Sequence, residues 1–263
     1  MKEGKKIYFA SDFHLGVPDH ALSLVREKKI VRWLDSIKHD CEELYLLGDV
    51  FDFWFEYRTV VPRGFVRLMG KIAEFTDAGI PVHYFTGNHD MWTFDYLTKE
   101  LNVKLYRAPI EAEYNNKKFY IGHGDGLGPG DHGYKFIKKI FASPLCQWLF
   151  ARLHPNLGVG IANYFSSKSR IATGTTDEIY HGDEKEWLVI HAKELLENKH
   201  YDYFIFGHRH LPLDISLTPP DGSGRSKAEE EKNSQYINLG DWVKYFTYAV
   251  FDGNKLELKK FEG

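Results

Sequence analysis

Short apolar runs alternate along this chain with longer stretches of helical periodicity. Ile7–Ala10, Glu43–Leu47 and Val82–Phe85 have the length and composition of buried strands. Between the first two, Ala21–Lys38 sets Leu24, Ile30, Val31, Leu34 and Ile37 on related faces of a helix. Gly64–Ala78 reads as a second helix, stopped by Gly79 and Pro81. Strand and helix in alternation predict a parallel sheet with helices packed on it. Further on, Glu111–Tyr114 and Lys117–Ile121 flank Asn115-Asn116, a good hairpin turn. Asp183–Lys199 is helical again and Tyr203–Phe206 is a strand. Leu213–Leu217 and Gln235–Leu239 bracket a polar loop, Thr218–Ser234. Tyr245–Phe251 and Lys255–Phe261 form a last hairpin around Asp252-Gly253.

One stretch breaks this pattern. Asp131–Arg170 is rich in aromatic and aliphatic residues, and six cationic side chains stand there against Asp131 alone, a local net of +5 in a chain whose formal net charge is −3. It reads as two or three helices inserted into the domain, an insertion spanning about residues 126–182 of a single domain, 1–263. Hydrophobic residues make up 43% of the 263, ample for one large core. The acidic balance disfavours a general polyanion binder, so no nucleic-acid partner is expected. Cys41 and Cys146 form no CxxC pair, which fits a reducing cytoplasm. No signal peptide is read at the charged start, and no apolar run is long enough to span a bilayer.

Candidate chemistry lies just after the strand-like runs. Asp12-Phe13-His14, Gly48-Asp49-Val50-Phe51-Asp52, Gly87-Asn88-His89-Asp90, Gly122-His123-Gly124-Asp125 and Gly207-His208-Arg209-His210 each follow or abut one. Loops at the carboxyl ends of parallel strands converge on one edge, where open α/β sheets build their sites. Asp, Asn and His supply oxygen and imidazole donors for divalent cations. Singly, each motif is common; five in this order are not. The mixed donor set suits Mn²⁺, Fe or Zn²⁺ better than Mg²⁺. Asp52 reads as a structural carboxylate rather than a ligand.

The series resembles that of the calcineurin-like metallophosphoesterases, from Asp12 to His210. The resemblance implies an α/β fold, a two-sheet β-sandwich flanked by helices, here with a helical insertion cap. It implies two divalent metal ions, with Mn²⁺ the first expectation. Asp12, His14, Asp49 and His210 would hold one, and Asp49, Asn88, His123 and His208 the other, with Asp49 bridging. His89 would contact the phosphate and assist the leaving group, and Asp90 would orient its imidazole. Asn238-Leu239-Gly240-Asp241 falls where the family has a late strand-end loop near the metals.

Within that superfamily the chain is most similar to the UDP-2,3-diacylglucosamine hydrolase family of lipid A biosynthesis. The residues concerned are Ile7–Gly16, Leu46–Trp54, the inserted helices, Ser166–Arg170 and Leu239–Trp242. That resemblance implies cleavage of the substrate's pyrophosphate to UMP and 2,3-diacylglucosamine 1-phosphate, under a helical cap that encloses the acyl chains. Asn88, His89, Ser167, Lys168 and Arg170 are then candidate substrate contacts. A nucleotide-sugar lipid would be the substrate, and the protein would sit peripherally on the inner face of the inner membrane. One residue departs from the well-known branch, which carries Arg where this chain has His89. The alternative is a metal-dependent phosphodiesterase or nucleotide pyrophosphatase of other specificity.

Overall fold

A computed structural model describes residues 1–129, 132–173, 179–217 and 233–263, with the side chains of 132, 134, 163 and 167–173 outside the description. Most of the polar loop Thr218–Ser234 therefore lies outside the described residues.

Eleven strands among these residues form two mixed sheets. The first runs in the order β11 (Leu256–Lys260), β10 (Thr247–Phe251), β1 (Lys6–Ala10), β2 (Cys41–Leu47), β3 (Val82–Phe85), β4 (Lys104–Tyr106). The second runs β5 (Ile110–Tyr114), β6 (Lys117–Ile121), β7 (Tyr203–Phe206), β9 (Ser234–Leu239), β8 (Pro212–Leu217). Strands β1 to β4 are parallel, as are β6, β7 and β9, while the other neighbours are antiparallel.

Side chains alternate between the two faces of a strand, and the core follows that alternation. Ile7, Phe9, Tyr45, Leu47 and Phe85 face Phe119, Ile121, Tyr203, Ile205 and Ile237 between the sheets. The intervening Tyr8, Ala10, Leu44, Leu46 and Tyr84 pack on the other side with α1 (His20–Ile37), α2 (Val66–Asp77) and α3 (Tyr96–Leu101). Phe204, Phe206 and Tyr236 pack outward with α7 (Trp187–Leu196). The result is the helix-flanked two-sheet sandwich that the resemblance implies.

Element ends have local causes. Asp19 caps α1 by accepting from the Leu22 N–H at 2.9 Å. Helix α2 begins two residues later than its periodicity suggests, because Gly64 and Phe65 have positive φ. A carboxylate of α1 caps it instead: Glu27 accepts from the Arg67 and Leu68 N–H groups at 2.8 and 3.0 Å. The described residues of the stretch 126–182 include three helices, α4 (His132–Phe141), α5 (Pro144–Phe150) and α6 (Pro155–Thr173). The Trp92 indole N–H donates to the Phe141 carbonyl at 2.8 Å, and the Phe150 ring packs on Trp92 and Phe55.

Candidate active site

Five strand ends meet at one edge of the sandwich. Asp12 and His14 follow β1, and Asp49 and Asp52 follow β2. Asn88, His89 and Asp90 follow β3, His123 follows β6, and His208 and His210 follow β7. Main-chain bonds join these loops. Asp12 N–H donates to the Gly48 carbonyl at 3.0 Å, His14 N–H to Asp49 at 2.9 Å, and Gly207 N–H to His123 at 2.9 Å. Asp12, His14, Asp49, His208 and His210 all have left-handed backbone. Non-glycine residues hold that conformation only where their surroundings enforce it, most often at functional sites. The glycines supply clearance: a Cβ on Gly87 would strike the Asp49 carboxylate, and one on Gly207 would strike Asp12 and Ser11.

Three carboxylates and five imidazoles converge. Among the described residues, three groups have the spacing to hold a cation: Asp12, His14, Asp49 and His210; Asp49, His123 and His208; and His14, Asp52 and His89. Among the described residues, Asp12 Oδ1 and Asp49 Oδ2 are buried without a hydrogen-bond donor. Asp12 Oδ1 lies 3.2 Å from His210 Nε2 and 3.6 Å from His14 Nε2. Asp49 Oδ2 stands between the first two groups, 3.4 Å from His123 Nε2 and 3.9 Å from His14 Nε2. The His14 and His210 Nε2 atoms face each other at 3.0 Å, a spacing that needs a shared proton or cation between two lone pairs. His123 donates from Nδ1 to the Leu47 carbonyl at 2.6 Å, which leaves Nε2 as its ligand atom. Asn88 Oδ1 is 3.3 Å from that Nε2. Buried oxygens without donors, ringed by imidazole nitrogen and an amide oxygen, fit divalent cations.

The electrostatics agree. Burial would raise Asp49, yet the imidazoles of His123, His89 and His14 hold it well below the carboxylate range. Burial disfavours a charge on His123, but Asp49, Asp12 and Asp125 push it up to about 10. The cluster therefore attracts positive charge strongly. His208, buried beside His123, is pushed down to about 4. Burial likewise lowers His89 to about 4, against the pull of Asp49.

His89 is held at two points. Its N–H donates to Asp49 Oδ1 at 2.8 Å, and its Nδ1 donates to the Asp52 carbonyl at 2.9 Å. That second bond corrects the role expected of Asp90. The Asp90 carboxylate instead accepts from Gly87 N–H at 2.7 Å, Val50 N–H at 3.0 Å and the Tyr84 hydroxyl at 2.6 Å. It pins the loops after β2 and β3 together. Burial, with Asp49 nearby, pushes it up to about 6. Asp52 Oδ1 faces His14 Nδ1 at 3.4 Å, and Oδ2 accepts from Ser166 of α6 at 2.8 Å. Of the other expected contacts, the side chains of Ser167, Lys168 and Arg170 lie outside the described residues. The Asn238–Asp241 loop buttresses the site: Trp242 N–H donates to the Asp12 carbonyl at 3.0 Å, and Asn238 Nδ2 to the Gly207 carbonyl at 2.6 Å. Sequence reasoning missed Ser166, Glu186 and Arg209 as neighbours of the site. Two of them carried a signal: Ser166 opens the Ser166–Arg170 run, and Arg209 is a cation between two candidate ligands.

Beside Asp52 a cavity of about 660 Å³ opens between α1, residues 57–65 and the start of α6. Leu15, Leu24, Phe53, Val60, Val61, Phe65 and Val159 give it a largely apolar wall.

The Calcineurin-like phosphoesterase family matches residues 5–212. A UDP-2,3-diacylglucosamine hydrolase from Porphyromonas gingivalis is 41% identical across 98% of this chain and 98% of its own. Another protein of that name, from Histophilus somni, is 25% identical across 90% and 92%. Among solved structures, a dimetal phosphatase from Danio rerio covers 98% of this chain and 96% of its own at 16% identity, with a TM-score of 0.44.

Proposed function

The chain belongs to the calcineurin-like phosphoesterase family, a family of hydrolases that use divalent metal ions, and we propose that it cleaves the pyrophosphate of UDP-2,3-diacylglucosamine. The products are UMP and 2,3-diacylglucosamine 1-phosphate. The observation that carries this reading is the 41% identity to the P. gingivalis hydrolase along the full length of both chains. The apolar cavity beside Asp52 supports it, because a diacylated substrate needs such a wall next to the reacting phosphate.

In this reading Asp12, His14, Asp49 and His210 hold one ion. Asp49, Asn88, His123 and His208 would hold a second, with Asp49 common to both sets. Mn²⁺ is the first candidate, with Fe or Zn²⁺ next. Bound there, two such ions supply an activated water nucleophile and neutralise charge on the phosphoryl oxygens. The protein's own groups do the rest. Asp49 Oδ1 and the Asp52 carbonyl fix the backbone and ring of His89, which contacts the phosphate; a phosphoryl anion against that ring favours its charged, donating form. Asp90 holds the Asn88–His89 loop rigid. Residues 126–182 act as the cap, with Ser167, Lys168 and Arg170 as candidate contacts to phosphate or sugar oxygens. The cationic, apolar insertion also suits peripheral contact with an anionic membrane face, reached from the cytoplasm.

Release of UMP from UDP-2,3-diacylglucosamine and from unacylated UDP-N-acetylglucosamine, at equal Mn²⁺, tests the assignment. Buried methylenes contribute about 0.8 kcal/mol each, and remote binding energy helps position the reacting phosphorus. Loss of both chains is thus expected to cost many orders of magnitude in kcat/KM. Comparable efficiency on the two substrates would sink the lipid assignment. It would leave a nucleotide pyrophosphatase of other specificity, the reading favoured by His89 where a well-known branch has Arg.

A further inference from the structure

We infer that the buried Glu186–Arg209 ion pair is a positioning device for the metal-binding histidines, tying their loop to the segment that leads out of the helical insertion. The inference rests on the metal-site reading above. Arg209 stands between His208 and His210, and both neighbours have left-handed backbone, with φ of +68° and +53°. The flanking imidazoles join the carboxylate cluster, while Arg209 joins Glu186. Its Nε donates to Oε1 at 2.6 Å and its Nη2 to Oε2 at 3.0 Å, a forked pair in which both side chains are buried. Nη2 also donates to the Ile179 carbonyl at 3.3 Å, and the guanidinium lies 5.1 Å from the centre of the Trp187 ring.

Glu186 is itself held. It immediately precedes α7, and its carbonyl accepts from the Ile190 N–H at 3.0 Å. The adjacent Trp187 carbonyl presses on Gly128, where a Cβ would collide with it. The stretch from Ile179 to Trp187 therefore touches both the His208–His210 loop and the loop that follows His123.

Stability alone is a poor account of this pair. A buried ion pair is often no more stabilising than apolar side chains of the same shape. What the forked geometry supplies is direction. Two left-handed, non-glycine residues flanking an arginine need outside restraint to stay as they are. On one side that restraint is His208 N–H to Asp12 Oδ2 at 3.0 Å. On the other it is Glu186.

The test uses the full chain loaded with Mn²⁺ and three variants: Glu186→Gln, Arg209→Lys, and the double variant Glu186→Leu/Arg209→Met, which keeps the packing and removes the fork. Bound Mn²⁺ per chain is measured across a dialysis series, with kcat, KM and Tm measured beside it. Groups that orient metal ligands typically change affinity about 10–100-fold when lost. Mn²⁺ binding weakened to that extent is expected in Glu186→Gln and in the double variant, with kcat falling more than KM rises. Arg209→Lys should fall between them and wild type. Should Glu186→Gln fail to fold, the double variant still decides. A folded double variant with wild-type Mn²⁺ affinity and kcat would overturn the inference and reduce the pair to packing. Wild-type protein that holds no Mn²⁺ in the same dialysis would overturn the metal-site reading, and the inference with it.

Discussion

Asp49 uses its two carboxylate oxygens for different ends. Oδ1 accepts from the His89 N–H, while Oδ2 lies between His14 and His123. Asp49→Ala removes both functions at once, so the variant is expected to lose both ions and all activity. His89→Ala keeps the main-chain N–H and so keeps the bond to Asp49. It should retain both ions and lose about 10²–10⁴ in rate, the range for a lost acid–base or charge-stabilising group. Metal analysis beside turnover separates the two. Two tightly bound ions in Asp49→Ala would exclude bridging, and loss of metal in His89→Ala would move His89 into the metal shell. The ligand candidates were legible because each sits within four residues of a strand end and carries a donor atom in its own side chain. Asp90 was misread for a physical reason. Its neighbour in sequence is His89, but its hydrogen-bond donors are Gly87, Val50 and Tyr84, and only folding brings those loops together.

Elements with strong periodicity were equally legible. Strand β3 falls where the apolar run Val82–Phe85 puts it, and β2, α1 and β9 differ from expectation by one or two residues at their ends. Helix α3 and strand β4 were not foreseen, since six and three residues carry too little period to read. Strand β10 starts at Thr247 rather than Tyr245 because Asp241 Oδ1 draws the N–H groups of Val243, Lys244 and Tyr245 into a turn. The start of β2, at the end remote from the Asp–His cluster, carries a polar network absent from the sequence pattern. Glu43 accepts from the Tyr114 hydroxyl at 2.7 Å and lies 2.9 Å from His83 Nε2. Tyr45 stacks on His83 at 4.1 Å. Burial would raise Glu43, but His83 and Tyr114 hold it below its ordinary value of 4.5. A carboxylate with a depressed folded pKa stabilises the fold above its unfolded pKa, and that stability is lost as pH falls through the folded value. Glu43→Gln should therefore be less stable than wild type at pH 7 and at pH 5. The gap should narrow below about pH 4.5. Denaturant unfolding of both proteins across that range checks this; an equal gap at pH 7 and pH 3 would mean that the ionisation of Glu43 contributes nothing.

At the scale of the whole molecule, the sandwich and its insertion obey different rules. The sandwich buries its apolar residues in three layers of core. The insertion leaves them outside: Phe136, Leu145, Trp148, Leu149, Leu157 and Phe165 are each more than half exposed. Arg152 stacks over Trp148 on the same surface. No helix among the described residues is long and apolar enough to cross a membrane. An exposed apolar patch edged by cations suits shallow insertion into an anionic bilayer, where burial and charge attraction add. Fully burying one large apolar side chain is worth about 1.5–3 kcal/mol, or roughly tenfold and more in affinity. Wild-type protein is expected to sediment with vesicles of phosphatidylglycerol and phosphatidylcholine but not with phosphatidylcholine alone, and to release as salt rises. Leu145→Glu/Trp148→Glu should reduce that binding by two orders of magnitude or more. Turnover of a soluble chromogenic phosphodiester should be unchanged, since neither residue reaches the metal cluster. Vesicle binding that ignores lipid charge would remove the cationic contribution from this account, and binding that survives both substitutions would show that another face of the protein meets the bilayer.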